Sequence, residues 1–240
     1  KQRRPLLDLI KRTAPDIVFL LEVDAQWVEV CKELKESHPY TLLNALPNTY
    51  GLAFYSRLPL TDSQINFLIE EDVPSVETTL TLKSGQKVKL FGLHPRPPRP
   101  QDGPSTKRDA ELIQIAKKSK ETDLPTVVIG DLNDVAWSHT TRLFRRISGL
   151  LDPRIGRGPT PTFPVQPFFM RFPIDHIFHS RSFRIAEMRR LDDVGSDHFP
   201  LYARLSFEPE DKHEQKAPDP LPGDFEEARE TLNEGKSRDL

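Results

Sequence analysis

Two short apolar runs, "IVFLL" (Ile17 to Leu21) and "PTVVI" (Pro125 to Ile129), limit the folds open to this chain more than any other feature. Neither alternates with polar residues, so each reads as a strand buried on both faces, in a sheet covered by helices. Helical patterns flank them at Arg4 to Thr13, Gln26 to Ser37 and Thr106 to Glu121, with a shorter one in "SHTTRLFRRI". "YGLAFYSRLPL" reads as a strand, and "VETTLTLKSGQKVKLFGLH" as two strands joined at a Ser-Gly turn. "PIDHIFHS" and "FPLYARLSF" supply late strands, and "HPRPPRPQDGP" is a proline-rich loop. The order predicts one α/β domain, a mixed-sheet sandwich with helices outside, closing near residue 207. From Glu208 onward the chain is rich in Pro, Glu and Asp and poor in apolar residues, which predicts a disordered tail.

Composition narrows the function classes. The 240 residues suit one large domain or two small ones. Lys plus Arg (34) nearly balance Asp plus Glu (36), giving a formal charge of -2 and a pI near 6.4. A protein that coats duplex nucleic acid usually carries a basic excess, so that role is disfavoured, although a local basic groove is not. The single cysteine, Cys31, lies in a helical pattern and reads as a small core residue, and no Cys/His cluster has zinc spacing. No run of 18 or more apolar residues is present, and the opening residues are not expected to be a signal peptide. The opening "KQRRPLLDLI" lacks Met and is read as the start of a soluble fragment of a longer protein.

Polar residues gather at the ends of the strand patterns. Glu22 follows "IVFLL", His94 follows "VKLFGL", Asp131 and Asn133 follow "TVVIG", Asp175 and His176 open "IDHIFHS", and Asp197 and His198 precede the last strand. Each alone has a structural explanation. Glu22 suits the start of the next helix, Asp131 and Asn133 suit a turn, and Ser-Asp before His198 suits a helix or turn start. Together they mark a site, because loops from several strands converge at such ends.

In this order the groups resemble the endonuclease/exonuclease/phosphatase superfamily, through "PDIVFLLEVD", "YGLAFYSRLPL", "LFGLHPRPP", "VVIGDLNDVAWS", "PTFP", "IDHIFHS" and "GSDHFPL". These pieces cover nearly all of residues 13 to 205. "GDLNDVAWS", "LLDPRIGRG" and "HPRPP" look like markers of a bacterial branch in which membrane helices commonly precede the catalytic domain. The resemblance implies a four-layered α/β sandwich of two packed mixed sheets flanked by helices. Residues 1–207 are expected to form the catalytic domain and residues 208–240 a disordered polar tail.

The resemblance also implies roles. Glu22 matches the principal metal ligand and Asp197 a second acid near the metal, with Mg²⁺ or Mn²⁺ suited to hard carboxylates. Asp131 matches the aspartate that positions or deprotonates the attacking water, and Asn133 a hydrogen-bond donor to the phosphate. His198 matches the histidine on the scissile phosphate, Asp175 the aspartate that orients it, and His94 a second histidine on the phosphate or leaving group. Whether Asp131 or the His198–Asp175 pair is the base stays open. Arg96, Arg99, Arg154 and Arg157 are candidates for a phosphate-facing rim, while Asp134, His176, His179 and Trp137 are left without a role. One departure stands out: family members begin with a strand carrying a metal-holding Asn, and no Asn precedes the first helix here. The first strand is therefore expected to be missing from this fragment.

The function expected is metal-dependent hydrolysis of a phosphate ester, most simply a phosphodiester. Nucleic acid and a lipid headgroup are both open as substrate. The alternative is a catalytically silent binding module that keeps the fold, which the intact set of polar residues argues against.

Overall fold

The computed structural model describes residues 4–98 and 105–237. Helix α1 (Arg4–Thr13) leads into β1 (Ile17–Leu21). The next helical stretch is broken into α2 (Ala25–Val30), a 3₁₀ turn and α3 (Leu34–Ser37). Asp24 starts α2 by accepting from the Trp27 N–H at 2.8 Å. Strands β2 (Tyr40–Asn44), β3 (Leu52–Ser56), β4 (Leu60–Asn66), β5 (Ser75–Thr81) and β6 (Lys87–Leu93) follow. After α4 (Thr106–Glu121) come β7 (Thr126–Asp131), α5 (His139–Ser148), β8 (Asp175–His179), β9 (Phe183–Arg190), β10 (Leu201–Phe207) and α6 (Asp224–Ser237).

The strands form three sheets, ordered β1-β3-β2, β10-β9 and β4-β5-β6-β7-β8. Among the described residues only the β6/β7 pair is parallel. Alternation along the buried strands then makes the layers. Leu52 and Phe54 of β3 face the middle core with Val76, Leu90 and Val127 of the larger sheet, and Phe183 of β9 joins them. Ala53 and Tyr55 face the other way, against Leu7 and Ile10 of α1 and Cys31. Val128 turns to the outer core, where Ile113 of α4, Phe144 of α5 and Phe178 of β8 meet it. Helix, sheet, sheet and helix therefore stack in four layers, and Cys31 is buried as expected.

The expectation of a disordered tail is corrected. Residues Pro209–Glu214 form a 3₁₀ segment, and α6 packs on α4 with Ala228 and Leu232 in the outer core. Arg146 of α5 holds its first turn through two hydrogen bonds to Asp224, at 2.7 and 2.9 Å. A stripe of two apolar residues four apart was enough, because acids on the other faces stay in solvent and three sit in the first turn. Among the described residues no helix is long and apolar enough to cross a membrane.

Candidate active site

The parallel register of β6 and β7 pairs Leu93 with Gly130, so the residues that follow, His94 and Asp131, emerge side by side. Glycine is required at 130. Its φ is 143°, and a Cβ there would lie 1.9 Å from the Leu93 carbonyl oxygen. The antiparallel register of β7 and β8 sets Asp131 directly opposite Asp175. Like charges so placed repel, and the sequence accepts that cost at the mouth of a buried strand.

His198 enters from the loop before β10. Its Nδ1 lies 2.9 Å from Asp175 Oδ2, and its Nε2 lies 3.7 Å from Asp131 Oδ2. His94 Nε2 lies 3.8 Å from the same oxygen. Asp131 Oδ2 thus sits between two imidazoles, while its Oδ1 accepts from the Asn133 N–H at 2.8 Å. Burial, then the Asp175 charge, push the Asp131 carboxyl up to about 8, and Glu22 adds to the effect. Burial alone would lower the His198 pKa, but the hydrogen bond and charge of Asp175, with Asp131 and Asp197, raise it to about 9. Burial and the His198 charge lower His94 to about 4, so at neutral pH it is a neutral imidazole, and its buried Nδ1 has no partner.

All seven expected residues can be placed. Asp131, Asp175, His198 and His94 converge. Glu22 follows β1 as an exposed residue at φ 58°, an uncommon backbone region for a non-glycine. It is near enough for its charge to act on Asp131. Asp197 is exposed beside His198, and its charge is among those that raise the histidine. Among the described residues, one ligand atom each of Asp131, Asp175 and His198 lie close enough together to meet at a single ion, and Glu22 and Asp197 stand at the mouth beside them. Asn133 takes φ 49°, which asparagine tolerates well. Its amide donates to the Pro95 carbonyl at 2.9 Å, tying the His94 loop to the end of β7.

The arginine rim is not what the sequence offered. Arg96 is committed to Glu70 and Asp72, all at 3.0 to 3.2 Å, and lies over the Tyr50 ring. Arg154 is buried, paired with Asp152 at 2.9 Å, and its guanidinium reaches the Asp175 and Pro173 carbonyls at 3.4 Å and His176 Nδ1 at 2.6 Å. Arg157 is exposed, and Arg99 lies outside the described residues. Trp137 is exposed rather than packed. Asp134 is buried and accepts from Thr141 Oγ1 at 3.0 Å and from Ser138 Oγ, bracing the start of α5.

Four further residues, to which the sequence reading assigned no role, support the site. Tyr50 packs against His94 at a 46° tilt with ring centroids 5.5 Å apart, and Phe163 packs on His198 at 4.6 Å. Arg108 donates to the Asn133 carbonyl at 2.7 Å, and His176 Nε2 meets the Asp134 carbonyl at 2.8 Å. Tyr50, Phe163 and His176 lie in "YGLAFYSRLPL", "PTFP" and "IDHIFHS", stretches that carry the resemblance, and Arg108 lies outside them all.

The sequence model of the endonuclease/exonuclease/phosphatase family matches residues 1–198. The chain belongs to that family. Phosphoester hydrolysis is the chemistry of the family, and its members generally depend on a divalent metal. Similar solved structures share the four-layered sandwich. A humanized TDP2 of D. rerio is 20% identical, with a TM-score of 0.72 over 85% of this chain and 91% of that one. The human Nocturnin catalytic domain with bound sulfate is 18% identical, with a TM-score of 0.68 over 86% of each chain. A Bacteroides thetaiotaomicron mannosyl-6-phosphatase is 20% identical, with a TM-score of 0.60 over 86% of this chain and 91% of that one. No curated protein is similar enough to match the chain.

Proposed function

We propose that this chain hydrolyses a phosphodiester with the help of Mg²⁺ or Mn²⁺. The observation that carries the reading is Asp131 Oδ2 set between His94 and His198, with His198 backed by Asp175. The donor chemistry fits a hard divalent cation. Asp131 and Asp175 face each other, Glu22 adds negative charge, and among the described residues no Lys or Arg ion pair reaches the Asp131 or Asp175 carboxylate. Glu22 and Asp197, exposed at the mouth, together with Asp131 and Asp175 within, are the carboxylates to hold it. His198 is a poor ligand, because an imidazolium has no free lone pair. When bound, the cation neutralises charge on the phosphoryl oxygens and keeps the neighbouring carboxylates ionised.

The chain's own groups divide the remaining work. Asp131, ionised, accepts the proton of the attacking water and is held in line by the Asn133 N–H. His198, charged and steered by Asp175, donates through Nε2 to a phosphoryl oxygen as negative charge builds there. His94, neutral and buried, offers an N–H to the same phosphate or to the leaving oxygen. Arg154 positions Asp175 from behind by gripping its backbone carbonyl.

Turnover of bis(p-nitrophenyl) phosphate and p-nitrophenyl phosphate, each with Mg²⁺, Mn²⁺ or EDTA, tests the reading. Cation-dependent turnover favouring the diester is expected, falling on the order of 10²–10⁴-fold in Asp131→Ala and in His198→Ala. Preference for the monoester would overturn the diester assignment, and turnover undiminished in Asp131→Ala would overturn the site.

A further inference from the structure

A loop rising beside this centre exposes four large apolar side chains within five residues. Phe168 and Phe169 are 70% and 72% exposed, Met170 is 52% exposed, and Phe172 is also open to solvent. At the usual size of such side chains the four present roughly 400 Å² of apolar area, comparable with the largest patch of a typical monomer, which is often a functional one. Their exposure is held in place rather than left to a floppy segment. Phe163 and Phe172 bridge across the base of the loop, and Arg171 donates to the Val165 carbonyl at 2.8 Å.

The base is anchored to the catalytic groups on both sides. The Val165 N–H donates to the Asp197 carbonyl at 2.7 Å, the Phe199 N–H to the Thr162 carbonyl at 2.9 Å, and Phe163 covers the His198 ring. On the return side the Leu132 N–H donates to the Ile174 carbonyl at 2.9 Å, one residue before Asp175. Arg154 reaches the Pro173 carbonyl, and the next residue, Ile155, is 59% exposed. Whatever covers the apolar tip is therefore continuous with whatever brings an ester to His198.

We propose that the Phe168–Phe169–Met170 tip enters a lipid surface and sets the catalytic centre at the level of the headgroups. The tip lies two to four residues from Phe172 of the bridge, and this shorter arm limits its reach to at most about 14 Å. Interfacial segments bury their apolar side chains roughly 5–10 Å into a bilayer, which leaves the loop base among the polar headgroups. Residues 155–174 hold two arginines, Arg157 and Arg171, and no acid, so the loop itself brings no negative charge against headgroup phosphates. Nucleic acid fits less well. Phe168 and Phe169 meet edge to face at 87°, not as a parallel platform for bases, and Met170 and Ile155 offer no ring. The contact goes beyond the phosphoesterase reading, and rests on it only for what the surface presents to the site.

Co-sedimentation with phosphatidylcholine vesicles, with and without about a third phosphatidylglycerol, tests it on the full chain and on a Phe168→Ser/Phe169→Ser double variant. Turnover of bis(p-nitrophenyl) phosphate and a thermal melt are measured alongside. The unaltered chain should pellet with both vesicle types. The variant's bound fraction should fall by roughly tenfold or more, with soluble-ester turnover and melting unchanged. A chain that stays in the supernatant, or a variant that pellets equally, overturns the proposal. So does a variant that instead loses single-stranded DNA binding, or that turns a dimer into a monomer, without change on vesicles. Vesicle binding lost in the variant while neither protein turns over the soluble ester sustains the contact and sinks the phosphodiesterase reading.

Discussion

At the scale of single residues, Gly130 decides whether the site exists, because the spacing of His94 and Asp131 follows from how closely β7 approaches the Leu93 carbonyl. Gly130→Ala is expected to cost about 1–3 kcal/mol from the disallowed φ alone. Turnover should drop on the order of 10²-fold as the two side chains shift by a fraction of an ångström or more. A melt and a kcat on the same preparation check both, and unchanged kcat would show that the β6–β7 approach does not set the site. Asp131, Asp175, His198 and His94 were legible in the sequence because strand ends in an α/β sandwich converge. The supporting residues were not. Tyr50 and Phe163 reach the site from loops whose paths the local pattern does not encode, and Arg154 looked like surface charge until its Asp152 and His176 partners were seen in the core.

Among the elements, the long apolar runs were legible as strands because only a sheet covered on both faces can bury them. Strand β9 was missed, as its "FRIAEMRR" spends charges on a partly open face, and α6 was missed because acidic composition masked its narrow stripe. Leu232→Ala should lower stability by about 2–3 kcal/mol, or roughly 5–10 °C in Tm, if α6 belongs to the fold. A melt unchanged by the substitution would return the segment to a loosely attached tail. The helix beneath it carries a second test. Glu111 of α4 is buried, its Oε1 has no partner, and burial, then the Glu70 charge, raise its pKa from 4.5 to about 8. The folded chain therefore binds this proton more tightly than the unfolded chain does. The stability it contributes is present below pH 4.5 and lost as pH rises towards 8. Glu111→Gln should melt close to the unaltered chain at low pH and higher by pH 8.5, by a few kcal/mol. A constant difference across that range would contradict the buried, protonated Glu111.

For the whole molecule, the site lies where the sheets meet. Asp131 and Asp175 come from the five-stranded sheet, Glu22 follows a strand of the three-stranded one, and Asp197 and His198 precede β10 of the two-stranded one. Each sheet thus delivers negative charge to one seam, and the fold carries that repulsion as a standing cost in the absence of a cation. A cation held there would bind the assembled sandwich and not the unfolded chain. At one hundred times its Kd, Mg²⁺ or Mn²⁺ should add about 2.7 kcal/mol, or roughly 5–10 °C in Tm over an EDTA-treated sample. Asp131→Asn should melt above the unaltered chain in EDTA, having lost a buried like-charge neighbour, and should show a much smaller rise with cation. A cation response of equal size in Asp131→Asn would place the ion elsewhere, with Glu22 and Asp197 the first residues to change next.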